Sequence, residues 1–193
     1  MNVRKLVVAA AAVLAMGAAA SAYEWSECWK NYGGGIEEHD LIINAGVGVN
    51  SMMFVSGRSG FIPPVELNVE FMQKIWVLPF GFGGFFGFSG YNEKYDVLDG
   101  GYTQHFKNFY FGAFANYHLQ LPVEKLDVYA GMRVGAEIVR SDWELGGRDE
   151  HDVAGGVYWG GTLGASWFFT DFFGVNLEFG YPTFARLGVS FKI

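Results

Sequence analysis

The chain has one cysteine, Cys28, in 193 residues. A lone cysteine excludes an internal disulfide, and no set of residues is spaced like a metal cage. The blander reading of Cys28 is an unpaired thiol; pairing with another protein is the alternative. Basic residues are also scarce. Thirteen Lys and Arg stand against 20 Asp and Glu, a formal charge of −7. That balance excludes nucleic acid and an anionic inner leaflet as natural partners. Long apolar runs are missing too. Beyond the N-terminus none approaches the roughly 20 residues a membrane helix needs. No motif calls for a cofactor or a catalytic metal.

What is present is aromatic and glycine-rich. There are 28 Gly, and Phe, Tyr and Trp make up 18% of the chain. Residues 1–22 read as a cleaved secretory signal peptide. Arg4 and Lys5 form its basic start, Leu6 to Met16 its apolar core, and Ala20-Ser21-Ala22 its cleavage site. The mature chain is then expected to begin at Tyr23. Losing Arg4 and Lys5 takes the formal charge from −7 to −9. Cys28 follows Ser26-Glu27, which is not a lipoprotein site.

The last forty residues alternate strictly. Val157, Trp159, Gly161, Leu163, Ala165, Trp167 and Phe169 hold one parity against Tyr158, Gly160, Thr162, Gly164, Ser166 and Phe168. Val175, Leu177, Phe179 and Tyr181 alternate with Asn176, Glu178 and Gly180. Ala185, Leu187, Val189, Phe191 and Ile193 alternate with Arg186, Gly188, Ser190 and Lys192. A period of two with one apolar face is a β-strand. Three in succession, ending at the carboxyl terminus, suggest a barrel that closes on its last strand.

Five earlier segments extend the count to eight. They are Leu41 to Asn50, Val65 to Lys74, Phe80 to Tyr91, His105 to Gln120 and Leu126 to Arg140. Pro63-Pro64 cannot sit inside a ladder, so Ser51 to Pro64 is expected to be a loop. Residues 92–104 and 141–152 are expected to be long polar loops, whereas 75–79, 122–125 and 170–171 are short turns. Long and short connections thus alternate, as in barrels with long extracellular loops and short periplasmic turns. The apolar faces of the second, fifth, seventh and eighth strands carry no charge. A water-facing surface would need charges there, and a charge facing lipid costs about 2–4 kcal/mol at the midplane. The expected fold class is therefore all-β: an eight-stranded antiparallel transmembrane β-barrel over 41–193. Trp167, Phe169, Phe191 and Ile193 would girdle it at the periplasmic interface, with Tyr91 and Tyr181 near the outer one.

Residues 23–40 form a periplasmic N-terminal segment with two readings. Trp25 and Trp29 can share one face of a surface helix before Gly33-Gly34-Gly35 breaks it, or the segment is a frayed tail. Inside the barrel, the inward parity collects Glu66, Glu70, Asp127, Arg133, Glu137, Glu178, Arg186 and Lys192. Buried charges must pair, since an unpaired one is strongly destabilising. Glu178 with Arg186 is the expected neighbouring pair, and Arg133 and Glu137 are expected to join Glu66 and Glu70. Such a network is either a polar plug or the gate of a narrow cation-preferring pore. His118 is expected in the plug.

The segment Gly164-Ala165-Ser166-Trp167-Phe168-Phe169-Thr170-Asp171-Phe172-Phe173-Gly174-Val175, with Gly180-Tyr181 and Arg186 to Ile193, resembles the C-terminal end of small bacterial outer-membrane barrels of the OmpA/OmpX/OmpW type. The resemblance implies residence in the bacterial cell outer membrane, contact with its lipids, and recognition by the barrel-assembly machinery through Gly188, Phe191 and Ile193. Ile193 departs from the family, in which an aromatic is commoner at the end. The implied roles are structural or surface-interacting, with a narrow conduit for small or apolar solutes as the alternative. Barrel enzymes that modify lipids need a Ser, a His and an acid at the outer rim. His105, Ser141, Asp149, His151 and Asp152 are the nearest approach, without a matching motif, so no enzyme is expected. The acidic loops 92–104 and 141–152 can contact divalent cations or a host molecule, though they lack calcium-loop spacing.

Overall fold

A computed structural model describes residues 27–49, 58–95, 102–145 and 148–193. The expected signal peptide, Tyr23, Trp25, Asp96 and Asp99 lie outside the described residues. Eight strands run β1 Leu41–Val49, β2 Arg58–Ile75, β3 Leu78–Tyr95, β4 Tyr102–Gln120, β5 Leu126–Leu145, β6 Arg148–Phe168, β7 Phe173–Gly180 and β8 Ala185–Lys192. Each pairs antiparallel with its chain neighbours, and β1 pairs with β8 to close the barrel. No helix among the described residues is long and apolar enough to cross a membrane.

Closure has a definite stagger. From Ile138 the pairing runs through Phe109, Phe88, Val65, Val47, Leu187, Leu177 and Ala165, and returns to β5 at Val128. The return falls 138 − 128 = 10 residues along the same strand. A shear of this size with eight strands tilts each strand by about 35–45° and leaves an interior just wide enough for side chains to fill. The parity read from sequence is the one observed. Leu67, Phe86, Phe111, Val134, Leu163, Leu177 and Leu187 are exposed on the outer wall, while Asn68, Tyr110, Asn116, Arg133 and Asn176 are buried within. A water-soluble protein rarely exposes contiguous apolar surface beyond a few hundred Å². Here it encircles the barrel, which makes the barrel a membrane-spanning one.

The wall is uneven. Strands β2 to β6 have 18 to 21 residues, whereas β7, β8 and β1 have eight or nine. The tall strands project as a curved sheet beyond one end of the barrel. Segment 141–152 is therefore not a loop: Ser141 pairs with Asp152, Asp142 with His151, and the hairpin continues to Leu145 and Arg148. Likewise Tyr95 pairs with Tyr102, so the described part of 92–104 is strand. Cross-strand pairing extends these polar segments past the apolar belt, which hydrophobic alternation alone could not register.

Pro63 and Pro64 lie inside β2, contrary to expectation. The register shifts around them, from Ser59 with Asn92 to Ile62 with Gly90 and then Val65 with Phe88. Each step sets two β2 residues against one of β3, one residue in excess, so the prolines occupy a bulge where no ladder bond is required of them. They also lie beyond the last β1 partner, Val47 with Val65. Gly60 opens the first bulge with φ of 57°, a backbone that favours glycine. At the other end Pro79 pairs with Lys74, which shortens the β2–β3 turn to Trp76-Val77.

Candidate functional site: the filled barrel interior

Residues 27–40 enter the turn end of the barrel rather than forming a surface helix or a free tail. Gln120 donates its backbone N–H to the Cys28 carbonyl, His39 to that of Met72, and Met72 to that of Asp40. Tyr32 donates its hydroxyl to the Phe80 carbonyl at 3.0 Å and packs edge-on against His118. Tyr32 and Ile36 join Ile42, Met72 and Phe168 in one apolar cluster. Burial, then the carboxylates of Glu38 and Glu70, push the Tyr32 phenol pKa well up, so it is neutral. Gly33 lies so close to β4–β5 that a Cβ there would meet the Leu126 carbonyl oxygen at 2.4 Å. Cys28 is buried in this plug as a free thiol. Trp29 stays exposed and stacks on Tyr117. The cue in the sequence was Gly33-Gly34-Gly35, read as a helix breaker; its use is close packing.

Above the plug lie two separate polar clusters, not one network. In the first, His118 bridges two carboxylates, with Nδ1 3.0 Å from Asp127 and Nε2 3.1 Å from Glu70. Asn116 donates to Glu70 at 2.8 Å. His118 is therefore where expected, and Glu70 and Asp127 are its partners rather than those of an arginine.

The second cluster is a closed ring of alternating charge. Arg133 reaches Glu66 at 2.7 Å and Glu178 at 2.5 Å. Arg186 reaches the same two glutamates, at 2.5 and 3.2 Å. The Tyr129 hydroxyl donates to Glu178 at 2.8 Å and accepts from Asn176 at 2.9 Å. Gly164 makes this possible, because a Cβ there would fall 2.3 Å from the Tyr129 ring. Two arginines and two glutamates cancel, and all four are at most 5% exposed. Glu178 and Arg186 thus pair as expected on β7 and β8.

Next comes an aromatic layer of Phe85, Tyr110, Phe114 and Tyr158. The Arg133 guanidinium lies 4.9 Å from the Phe85 ring centre and 5.5 Å from that of Phe114. This layer explains the two expected charges that stay apart. Glu137 pairs across the ladder with Tyr110 and Gly156, one row beyond Gly135 and Tyr158, on the far side of the aromatics from Arg133. It makes no ion pair with a described residue. Lys192 lies at the turn end, donating to the Gly35 carbonyl and resting 5.5 Å from the Phe168 ring.

The terminal strand closes the barrel. Leu41 and Ile193 exchange both backbone hydrogen bonds at 2.9 Å. Phe191 and Ile193 face outward, and Gly188 packs inward against Gly46. Trp167 and Phe169 are exposed on the outer wall, as girdle residues must be. Tyr181, expected at the outer girdle, instead turns over the lumen and packs edge-on against the inward Tyr158 at 5.1 Å. Tyr91 does not face lipid either: it shares the inward parity of Phe85 and Ser89 and stacks on Phe106 at 4.7 Å. Trp76, 93% exposed at the β2–β3 turn, is a girdle residue the sequence reading missed.

At the projecting end Ser141 and His151 do not come together. Ser141 pairs with Asp152 and is buried, while His151 pairs with Asp142 on the opposite, outward parity. His105 bonds Asn92 instead, at 2.8 Å. Asp142 accepts from Arg140, Lys107 and His151 at 2.8, 3.0 and 2.8 Å, and those donors, Arg140 first, hold its carboxyl far below the usual range. Glu93 accepts from Tyr95. Among the described residues no three acidic, histidine or cysteine side chains gather as a metal site.

No protein-family model matches the chain, and no curated sequence matches it. Solved structures share its fold. Ail, the attachment invasion locus protein of Yersinia pestis, in complex with the heparin analogue sucrose octasulfate, is 14% identical over 81% of this chain and 100% of that one, with a TM-score of 0.50. Another Ail structure gives 12% identity over the same shares and a TM-score of 0.49. Neisserial surface protein A gives 16% identity over 80% of this chain and 94% of that one, with a TM-score of 0.41. At these identities the likeness is one of fold, and it is the small-barrel fold that the C-terminal segment implied.

Proposed function

We propose that the chain is a bacterial outer-membrane barrel with a closed interior, and that its projecting sheet is its working surface. The observation that carries this reading is the filled lumen. A conducting path would leave lumen side chains open to water, yet Glu66, Arg133, Glu178 and Arg186 are 2–5% exposed. Above them stand packed aromatics, and below them the 27–40 segment fills the mouth. The short-turn end, which holds that segment, is the periplasmic one, and the tall strands project outside. Outer-membrane lipids cover the apolar belt, and the assembly machinery reads the last strand through Gly188, Phe191 and Ile193. The interior charges hold the barrel together rather than gate it. Ail, of the same fold, is known with a heparin analogue, which supports contact with host molecules as a role for the projecting end. Segments 92–104 and 141–152 supply that contact.

Single-channel recording tests the reading. The protein is expressed from its full sequence, extracted from membranes and inserted in a planar bilayer beside Arg133→Ala. The expected result is a silent wild type whose folded state is confirmed by a heat-dependent gel shift. Discrete openings in the wild type, altered in Arg133→Ala, would overturn it and make the narrow-conduit role the better one.

A further inference from the structure

We infer that the inner, concave face of the projecting sheet holds a cleft for an alkylammonium group of the lysine type, with Glu137 as its counter-ion. The inference deepens the reading of the projecting end as the working surface and rests on it.

Three rows of inward residues build the cleft across β3–β6. In the first, just outside the aromatic layer, Glu137 stands between Tyr110 and Gly156. In the second, Val139 stands between Asn108 and Ala154. In the third, Phe106 stacks on Tyr91, with ring centres 4.7 Å apart and planes inclined by 12°. Gly156 and Ala154 leave room on the β6 side. A Cβ on Gly156 would lie 4.0 Å from a Glu137 carboxylate oxygen, so the carboxylate leans toward that room.

The unmet hydrogen bonds ask for a donor. Glu137 is partly exposed and makes no hydrogen bond or ion pair with a described residue. An unpaired carboxylate at the mouth of a packed lumen is costly, and a bound cation relieves that cost. Two groups near it also lack partners. Asn108 Oδ1 is buried on the diagonal of the next row. The Tyr158 hydroxyl is buried over Gly135, one row beneath Glu137. A primary ammonium carries three N–H donors and no acceptor, and so matches three acceptors. Tyr181, edge-on to Tyr158 at 5.1 Å, adds an aromatic wall that favours a cation.

Charge and reach agree with this ligand. Among the described residues on the three inward rows the charges are Glu137 and Asp152, with no Lys, Arg or His. The next row adds Glu93 and Glu150, with Arg58 opposite Glu93, and Arg148 comes only at the hairpin tip. Segments 50–57, 96–101 and 146–147 contain no Lys or Arg. The row of Phe106 lies four residues along β4 from that of Glu137, about 13 Å. An ammonium on a stem of four methylenes thus reaches Glu137 over Val139, while the amide body at its other end lies on the Tyr91–Phe106 stack.

The test uses the protein expressed from its full sequence with 15N label and purified in neutral micelles. Amide shifts are followed while Nα-acetyl-lysine N-methylamide, its neutral Nε-acetylated form, or n-butylamine is added. The charged lysine derivative should bind saturably, with shifts at Glu137, Val139 and Gly156, and the neutral form about tenfold more weakly or not at all. Glu137→Gln should lose about tenfold, and Gly156→Val, which keeps the charge but fills the room beside it, should lose binding as well. Glu124→Gln, at the turn end, should bind as the wild type does. A heat-dependent gel shift confirms folding of each. Butylamine binding as tightly as the lysine derivative would assign the site to free alkylamines, and tighter binding of the derivative to a lysine of a protein partner. Equal binding of charged and neutral forms, unchanged binding in Glu137→Gln, or shifts confined to the turn end would overturn the inference. Conductance is read on the same preparation, so an open lumen and an absent cation site give different results.

Discussion

Removing Arg133 tests whether the interior ring is a stabilising unit. In the wild type two arginines face two glutamates, and the ring is neutral. Arg133→Met leaves Glu66 and Glu178 sharing Arg186, a net charge of −1 in a site at most 5% exposed. Breaking a buried pair in this way costs about 3–5 kcal/mol. Each glutamate keeps one contact with Arg186, which argues for the lower end, whereas lost packing on Phe85 and Phe114 adds about 0.5–2 kcal/mol. About 3.5–5 kcal/mol is therefore expected. Glu66→Gln has the opposite imbalance, with two arginines facing one glutamate. Combining the two changes restores neutrality, so the double variant should lose about 2 kcal/mol less than the sum of the singles. Reversible urea unfolding in micelles or thin-bilayer vesicles, followed by the gel shift and tryptophan fluorescence, gives all four stabilities. Additive losses, or a cost below about 1 kcal/mol for Arg133→Met, would refute the argument that charge balance holds the lumen.

Two further outcomes follow from the outer wall and from the plug. Val134→Arg puts a charge on an exposed lipid-facing position of β5 and should cost about 2–4 kcal/mol in vesicles; a cost near zero would mean that this face meets water. Gly33→Val sets a side chain against the Leu126 carbonyl and should dislodge the 27–40 segment, so that Cys28, 3% exposed in the wild type, becomes rapidly alkylated by a thiol reagent. Slow alkylation in both proteins would show that the segment is not held by this packing.

Period-two alternation was enough to determine the strands, their faces and their number. It works because one face must meet lipid and the other a polar lumen, so each residue's parity is a statement about its solvent. The terminal residues Phe191 and Ile193 and the uncharged face of β5 from Leu126 to Ile138 carried that information without any partner. Alternation also put Glu66, Arg133, Glu178 and Arg186 on one inner surface. It could not say which of eight inward charges meet, because that depends on the ten-residue stagger around the closed sheet. The stagger brings Arg133 to Glu66 and Glu178, puts aromatics between Arg133 and Glu137, and gives Glu70 and Asp127 to His118. Tertiary structure alone decided three other points. Residues 27–40 fold inward because the mouth offers backbone partners and an apolar floor. Pro63 and Pro64 enter a strand because bulges and a missing β1 partner remove the need for their N–H. Segment 141–152 is a hairpin because cross-strand hydrogen bonds, and not apolar burial, hold it.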